Sequence, residues 1–154
     1  MLEELFKKPI KYDCYIASGW FSKGQLRDLE MIKRILTKQN VKFYSPKDEF
    51  VIPTDATPDT IQNCVTDNME AIESSRFVIV NTRKKDMGAI WESCYAYCKK
   101  KPIIFYFNST KPFNIMLLAT ASYICRKPKE LKVAVQRAMK NDFTNKEPFT
   151  GKIQ

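Results

Sequence analysis

Arg76-Phe77-Val78-Ile79-Val80-Asn81 runs on into Asp86-Met87-Gly88-Ala89-Ile90-Trp91-Glu92-Ser93-Cys94-Tyr95-Ala96-Tyr97. The first stretch is a short apolar run between polar residues, the pattern of a strand buried on both faces. The second opens a helix, with one carboxylate in the loop before it and another in its first turns. An acid near a helix start faces the positive end of the helix dipole and is expected to stay ionised. An ionised carboxylate in a cleft at the carboxyl end of a strand is a candidate nucleophile.

The same alternation extends in both directions. Upstream, residues 12–18 read as a first strand ending at Gly19. Leu26, Leu29, Ile32, Ile35 and Leu36 then recur at helical spacing between Lys23 and Lys38, and Asn40 stops that helix. Val41-Lys42-Phe43-Tyr44 gives a second strand closed by Pro46. The polar loop over residues 45–59 is long for a compact domain and reads as a lid or binding loop. Pro58 opens a helix carrying Ile61, Val65, Met69 and Ile72. Downstream come a strand at 102–107, a short helix at 114–118, a strand at 121–124 and a helix at 128–140. The tail over 141–154 is irregular, and its Phe143 and Phe149 are expected to pack on the body of the protein.

Strands alternating with helices imply parallel βαβ units, hence a single α/β domain over residues 1–154, a three-layer sandwich around a five-stranded parallel sheet. Ligands of such sheets lie beyond the carboxyl ends of the strands. The residues expected there are Gly19-Trp20-Phe21, the 45–59 loop, residues 82–88 and residues 108–114.

Composition narrows the chemistry. The 154-residue chain has no histidine, which excludes Ser-His-Asp and Cys-His catalysis and leaves ordinary zinc chemistry without its usual ligand. Proton transfer must come from Asp, Glu, Tyr, Lys or Cys. The five cysteines include no CxxC pair and read as reduced, mostly buried thiols. No metal and no cofactor is called for. No apolar run approaches the roughly 20 residues that span a bilayer. The start, Met1-Leu2-Glu3-Glu4-Leu5-Phe6-Lys7-Lys8, lacks the apolar middle of a signal peptide, so a cytoplasmic protein is the default expectation. The net charge of +9 raises the question of nucleic acid. The basic residues are spread along the chain, however, and Lys99-Lys100-Lys101 is explained as cations at a helix end. The charge admits a general affinity for anionic surfaces rather than a dedicated nucleic-acid site.

Four segments resemble the nucleoside 2-deoxyribosyltransferase family, in the family's order and at similar spacing. They are Tyr15-Ile16-Ala17-Ser18-Gly19-Trp20-Phe21, Asp67-Asn68-Met69-Glu70-Ala71-Ile72, Asp86-x-Gly88-x3-Glu92-x2-Tyr95-Ala96, and Lys111-Pro112-Phe113-Asn114-Ile115-Met116. The resemblance implies a flavodoxin-like fold and a retaining exchange of bases on 2-deoxyribose. It implies Glu92 as the nucleophile on the anomeric carbon, Tyr15 as the tyrosine orienting it, and Asp86 as the acid beside the base. Gly19, Trp20, Phe21, Phe50, Asn68 and Gly88 are then expected to line the substrate site. Asn114 and Met116 match residues that a neighbouring subunit contributes, so a homo-oligomer built from dimers, up to a hexamer, is implied. Substrates would be 2'-deoxynucleosides and free bases. Two positions depart from the family: Asp67-Asn68 stands where members carry Asn-Asp, and Phe50 where members often place glutamine. The second exchanges hydrogen bonding for stacking.

The chemistry fits the residues on its own terms. A carboxylate beneath the sugar stabilises and traps an oxocarbenium-like state, and a second carboxyl group protonates the departing base. A helix start favours a charged Glu92, and repulsion between the acids favours a proton on Asp86. Plainer readings stand beside these. Trp91, Tyr95 and Cys98 follow core spacing, Asp86 suits a helix cap, Tyr15 a core tyrosine and Asn114 an N-cap. Phe21, past a strand end, reads as a wall on which a base stacks. Hydrolysis of deoxynucleosides or their monophosphates, and a non-catalytic nucleotide binder of the same fold, remain open alternatives.

Overall fold

The computed structural model describes residues 8–50, 52–143 and 149–154. Residues 1–7, read above for their charge order, lie outside the described part. Five strands form one sheet in the order β2-β1-β3-β4-β5: β1 Tyr12–Ala17, β2 Phe43–Tyr44, β3 Ser75–Asn81, β4 Ile103–Tyr106 and β5 Tyr123–Cys125. Every pairing is parallel. The helices are α1 Lys23–Lys38, the single turn α2 Pro46–Glu49, α3 Pro58–Glu73, α4 Met87–Cys98, α5 Ile115–Thr120 and α6 Pro128–Met139. The five-stranded parallel sandwich expected from the alternation is present, in the flavodoxin-like strand order.

Side-chain alternation along the strands sorts the core into two layers. Cys14, Ile16, Phe77, Ile79 and Ile104 face α1 and α6, packing on Leu29, Ile32, Leu36, Leu131 and Val135. Tyr15, Ala17, Val78, Val80 and Phe105 face the other way, onto Ala71, Ile72, Ala89 and Ala96 of α3 and α4. Asn40 adopts the left-handed conformation, φ 54°, that an asparagine tolerates, and so ends α1 where expected. The tail packs as anticipated: Phe149 lies against Phe113, Phe143 against Tyr123, and Ile153 bridges to Phe113.

Two expectations about helix faces need correction. The stripe Trp91, Tyr95, Cys98 is not core: Trp91 is 51% exposed, Cys98 is exposed and Tyr95 half-buried. The buried face of α4 is Ala89, Ser93 and Ala96, small residues that let the helix approach the sheet. Because α4 is apolar nearly all round, spacing could not tell its two apolar faces apart. On α1, Leu26 is exposed while Gln25 and Asp28 are buried, for reasons that belong to the cleft.

Candidate active site

The strand order reverses between β1 and β3, so their following loops part and leave a crevice at the carboxyl end of the sheet. Its floor is polar. Asn81, ending β3, donates from Nδ2 to Ser18 Oγ at 3.0 Å and accepts the Arg83 N–H at 3.2 Å. It thereby ties the loop after β1 to the loop after β3. Sequence reasoning missed Asn81, although a polar residue closing an apolar strand was a usable signal.

Tyr15 lies wholly inside the sheet–helix layer, and its hydroxyl donates to Glu92 Oε1 at 2.7 Å. Its ring packs in the core, as the plainer reading has it, while its hydroxyl reaches the carboxylate. Burial, and then the charge of Glu92, push the phenol well above its ordinary pKa, so it stays protonated and donates. For Glu92, burial is the strongest influence and raises its pKa to about 7. The Tyr15 hydroxyl pulls the value down, and the charge of Asp86 raises it again. Burial therefore outweighs the helix-start effect expected to keep Glu92 ionised, and leaves it partly protonated near neutral pH. Glu92 sits in the second turn of α4, and the dipole's influence fades beyond the first.

Asp86 caps α4, its Oδ1 accepting the Ala89 N–H at 2.9 Å. Its other oxygen turns toward Gly19. A β-carbon on Gly19 would stand 2.5 Å from Asp86 Oδ2 and 2.4 Å from Gln25 Nε2. A larger residue at Gly19 would displace the ends of both side chains. Gly88 lies beside the same carboxylate, where a β-carbon would be 3.4 Å from Oδ1. Gln25 is held by Ser22, whose hydroxyl donates to Oε1 at 3.0 Å. Below it, buried Asp28 pairs with Arg83 through both guanidinium Nε and Nη2. This pair pins the loop after β3, in which Lys84 and Lys85 are forced to φ 64° and 50°. Gln25 and Asp28 thus answer to the cleft rather than to the core, which a helical apolar count could not show.

The remaining expected residues are distributed around this centre. Trp20 packs partly into the core, while Phe21 is 76% exposed beside it, ring centroids 5.1 Å apart. Asn68 meets the Tyr44 hydroxyl at 3.4 Å, and the Tyr44 ring stacks on Tyr15 at 5.6 Å. Tyr44, read from the sequence only as part of the second strand, thus stands directly beside Tyr15. Phe50 follows the α2 turn, half-buried, its N–H on the Pro46 carbonyl. Asn114 and Met116 are not brought to Glu92 by any contact in this chain. Asn114 Oδ1 caps α5 through the Met116 and Leu117 N–H groups, and Met116 is 72% exposed. Cys14, Cys64 and Cys125 are buried and Cys94 and Cys98 exposed, all as free thiols. Among the described residues no group of three or more His, Cys, Asp or Glu could hold a metal ion.

The family model for nucleoside 2-deoxyribosyltransferase matches residues 14–145, a span containing the tyrosine, both carboxylates and the loops around them. The chain belongs to the nucleoside 2-deoxyribosyltransferase family. No curated protein matches by sequence. Among solved structures, a 2-deoxyribosyltransferase from Bacillus psychrosaccharolyticus superposes with a TM-score of 0.70 at 17% identity, over 77% of this chain and 89% of that one. A conserved protein from Enterococcus faecalis V583 gives 0.65 at 17%, over 80% and 96%. A CMP N-glycosidase from Clostridium botulinum gives 0.54 at 13%, over 80% and 97%. At these identities the likeness is one of fold. Membership makes this chain one of a family of enzymes acting on deoxynucleosides. No helix among the described residues is long and apolar enough to cross a membrane.

Proposed function

We propose that the cleft exchanges the base of 2'-deoxynucleosides with retention, through a deoxyribosyl ester on Glu92. The observation that carries this reading is the 2.7 Å bond from the buried Tyr15 hydroxyl to Glu92, with Asp86 close enough for its charge to act on the same carboxylate. A carboxylate oxygen of Glu92 bonds to the anomeric carbon while the bond from that carbon to the base nitrogen breaks. The bond's electron pair leaves with the base, which takes a proton from Asp86. An incoming base then attacks the same carbon from the face the first one left, Glu92 departs as carboxylate, and the incoming base's proton returns to Asp86. Two inversions give net retention. Gly19, Gly88, Phe21 and Phe50 line the sugar and base space, and Asn114 and Met116 of a neighbouring copy complete it.

A hydrolytic reading differs only in the second step, where water replaces the incoming base. The fold shared with a CMP N-glycosidase supports keeping it, for nucleosides or their monophosphates. Product analysis separates the two. With a deoxynucleoside and a second free base, transfer yields the new deoxynucleoside. Free deoxyribose in equal amount with and without that base, and no new nucleoside, would overturn transfer in favour of hydrolysis.

A further inference from the structure

Asp86 has one oxygen fixed and one open. Its Oδ1 accepts the Ala89 N–H at 2.9 Å, so a proton held by this carboxyl group resides on Oδ2. Oδ2 lies beside a buried amide. The place of a β-carbon on Gly19 is 2.5 Å from Asp86 Oδ2 and 2.4 Å from Gln25 Nε2, so the two atoms flank one point at the edge of the cleft. Gln25 itself is 3% exposed. A ligand in the cleft therefore meets Asp86 and not the amide.

The amide's orientation is set by its other neighbours. Ser22, the N-cap of α1, accepts the Gln25 N–H at 3.2 Å and donates its own proton to Gln25 Oε1 at 3.0 Å. The amide oxygen is thus on the Ser22 side and the NH2 on the other. One of its N–H groups reaches the Arg83 carbonyl at 3.4 Å. Arg83 is held in turn by Asp28, about one turn along α1 from Gln25. It lies so close to Gly24 that a β-carbon there would stand 2.9 Å from its Cδ. The second N–H is left facing the Asp86 side. A donor in that place acts on both states of the acid. It repels the hydroxyl of a protonated Oδ2, which turns the hydrogen toward the cleft, and it attracts the carboxylate that remains once the proton has gone.

We propose that Gln25 is a positioning residue for base release, one that aims the Asp86 proton at the departing base and stabilises the carboxylate left behind. The inference rests on reading the cleft as a deoxynucleoside site with Asp86 as its acid. In that step the bond from the anomeric carbon to the base nitrogen breaks and its electron pair leaves with the base. The proton passes from Asp86 Oδ2 to the base. The amide acts on the acid and not on the sugar or the base, so its loss lowers kcat and leaves KM alone.

Initial rates of base release are measured against deoxynucleoside concentration for wild type, Gln25→Leu, Gln25→Glu, Asp86→Asn and the double variant Gln25→Leu with Asp86→Asn. Gln25→Leu is expected to lower kcat roughly tenfold, with KM within about twofold of wild type. Gln25→Glu keeps the size and an acceptor for Ser22 but offers no donor, and should lose at least as much. Asp86→Asn keeps the oxygen that accepts the Ala89 N–H and should lose on the order of 100-fold. With no proton left to aim, adding Gln25→Leu to it should lower the rate little further. A wild-type kcat in Gln25→Leu, a rate recovered in Gln25→Glu, or a double loss equal to the product of the two single losses overturns the role of Gln25 while leaving the cleft a deoxynucleoside site. Asp86→Asn protein as fast as wild type overturns Asp86 as the acid. Wild type that releases no base from any deoxynucleoside overturns the function proposed for the cleft, and the inference falls with either.

Discussion

Glu92 is asked to be buried, where a carboxyl prefers its proton, and to attack as a carboxylate. Its pKa of about 7 reflects burial as the strongest influence. The rate of base release at low substrate should therefore rise with pH and level off above a midpoint near 7. A profile already flat from pH 5 would dismiss Glu92 as the nucleophile. Stability runs the other way. Between its ordinary value of 4.5 and about 7, the folded protein holds a proton on Glu92 that the unfolded chain has released. This group's contribution is therefore full below pH 4.5 and lost as pH rises through 7, on the order of 3 kcal/mol. Glu92→Gln keeps an acceptor for Tyr15 but removes the charge. It should abolish turnover yet melt above wild type at pH 8, with little gain at pH 5, as followed by thermal unfolding. Tyr15→Phe removes a hydrogen bond to a charged group, worth about 1.5–3 kcal/mol. The expected result is a 10- to 100-fold lower rate at pH 7 and a midpoint moved upward.

The elements that carry the site are held to one another by groups the apolar pattern does not register. Helix α1 sends Gln25 and Asp28 inward at positions beside its apolar stripe, and Asp28 meets Arg83 from the loop after β3. Asp28→Ala leaves a guanidinium without its partner and removes the anchor of a loop with two left-handed lysines. A loss of about 3 kcal/mol in denaturant unfolding is expected. Gly19→Ala would push its methyl group into the Gln25 amide and the Asp86 carboxylate. Base release should fall at least roughly tenfold, the scale set by a misplaced reacting group, while the melting temperature stays close to wild type. A large drop in melting temperature would make Gly19 a folding residue instead. Strand and helix positions were legible because alternation, N-caps and breakers are local. The buried face of α4 was not, because small and large apolar residues share that helix and the sheet's need for close approach chose the small ones.

In the whole molecule, the reversal of strand order between β1 and β3 sets where the proposed chemistry would lie, and among the described residues no hydrogen bond joins Asn114 or Met116 to Glu92. Helices α3 and α4, which pack on the same face of the sheet, expose Ile61, Val65, Met87, Trp91 and Tyr97. Together with the proposed use of a neighbour's Asn114 and Met116, these apolar side chains lead us to expect an oligomer. Sedimentation should show at least a dimer, and mixing Glu92→Gln with Asn114→Ala protein should restore activity that neither has alone. A mixture as inactive as its components would place Asn114 outside any shared site. The positive charge is partly consumed in structure: Lys8 and Lys99 pair with Glu73, and the Lys101 ammonium donates to the Glu73 and Ser75 carbonyls. The sequence by itself determined the α/β class, the five parallel strands, the cap at Asp86 and the set of loops around the cleft. Each of these follows from periodicity or from bonds between near neighbours along the chain. Only the tertiary structure decided that Tyr44 stacks on Tyr15 and meets Asn68, and that burial raises the Glu92 pKa to about 7. Those facts depend on which strand lies beside which and on how much water is excluded between them, and no local pattern encodes either.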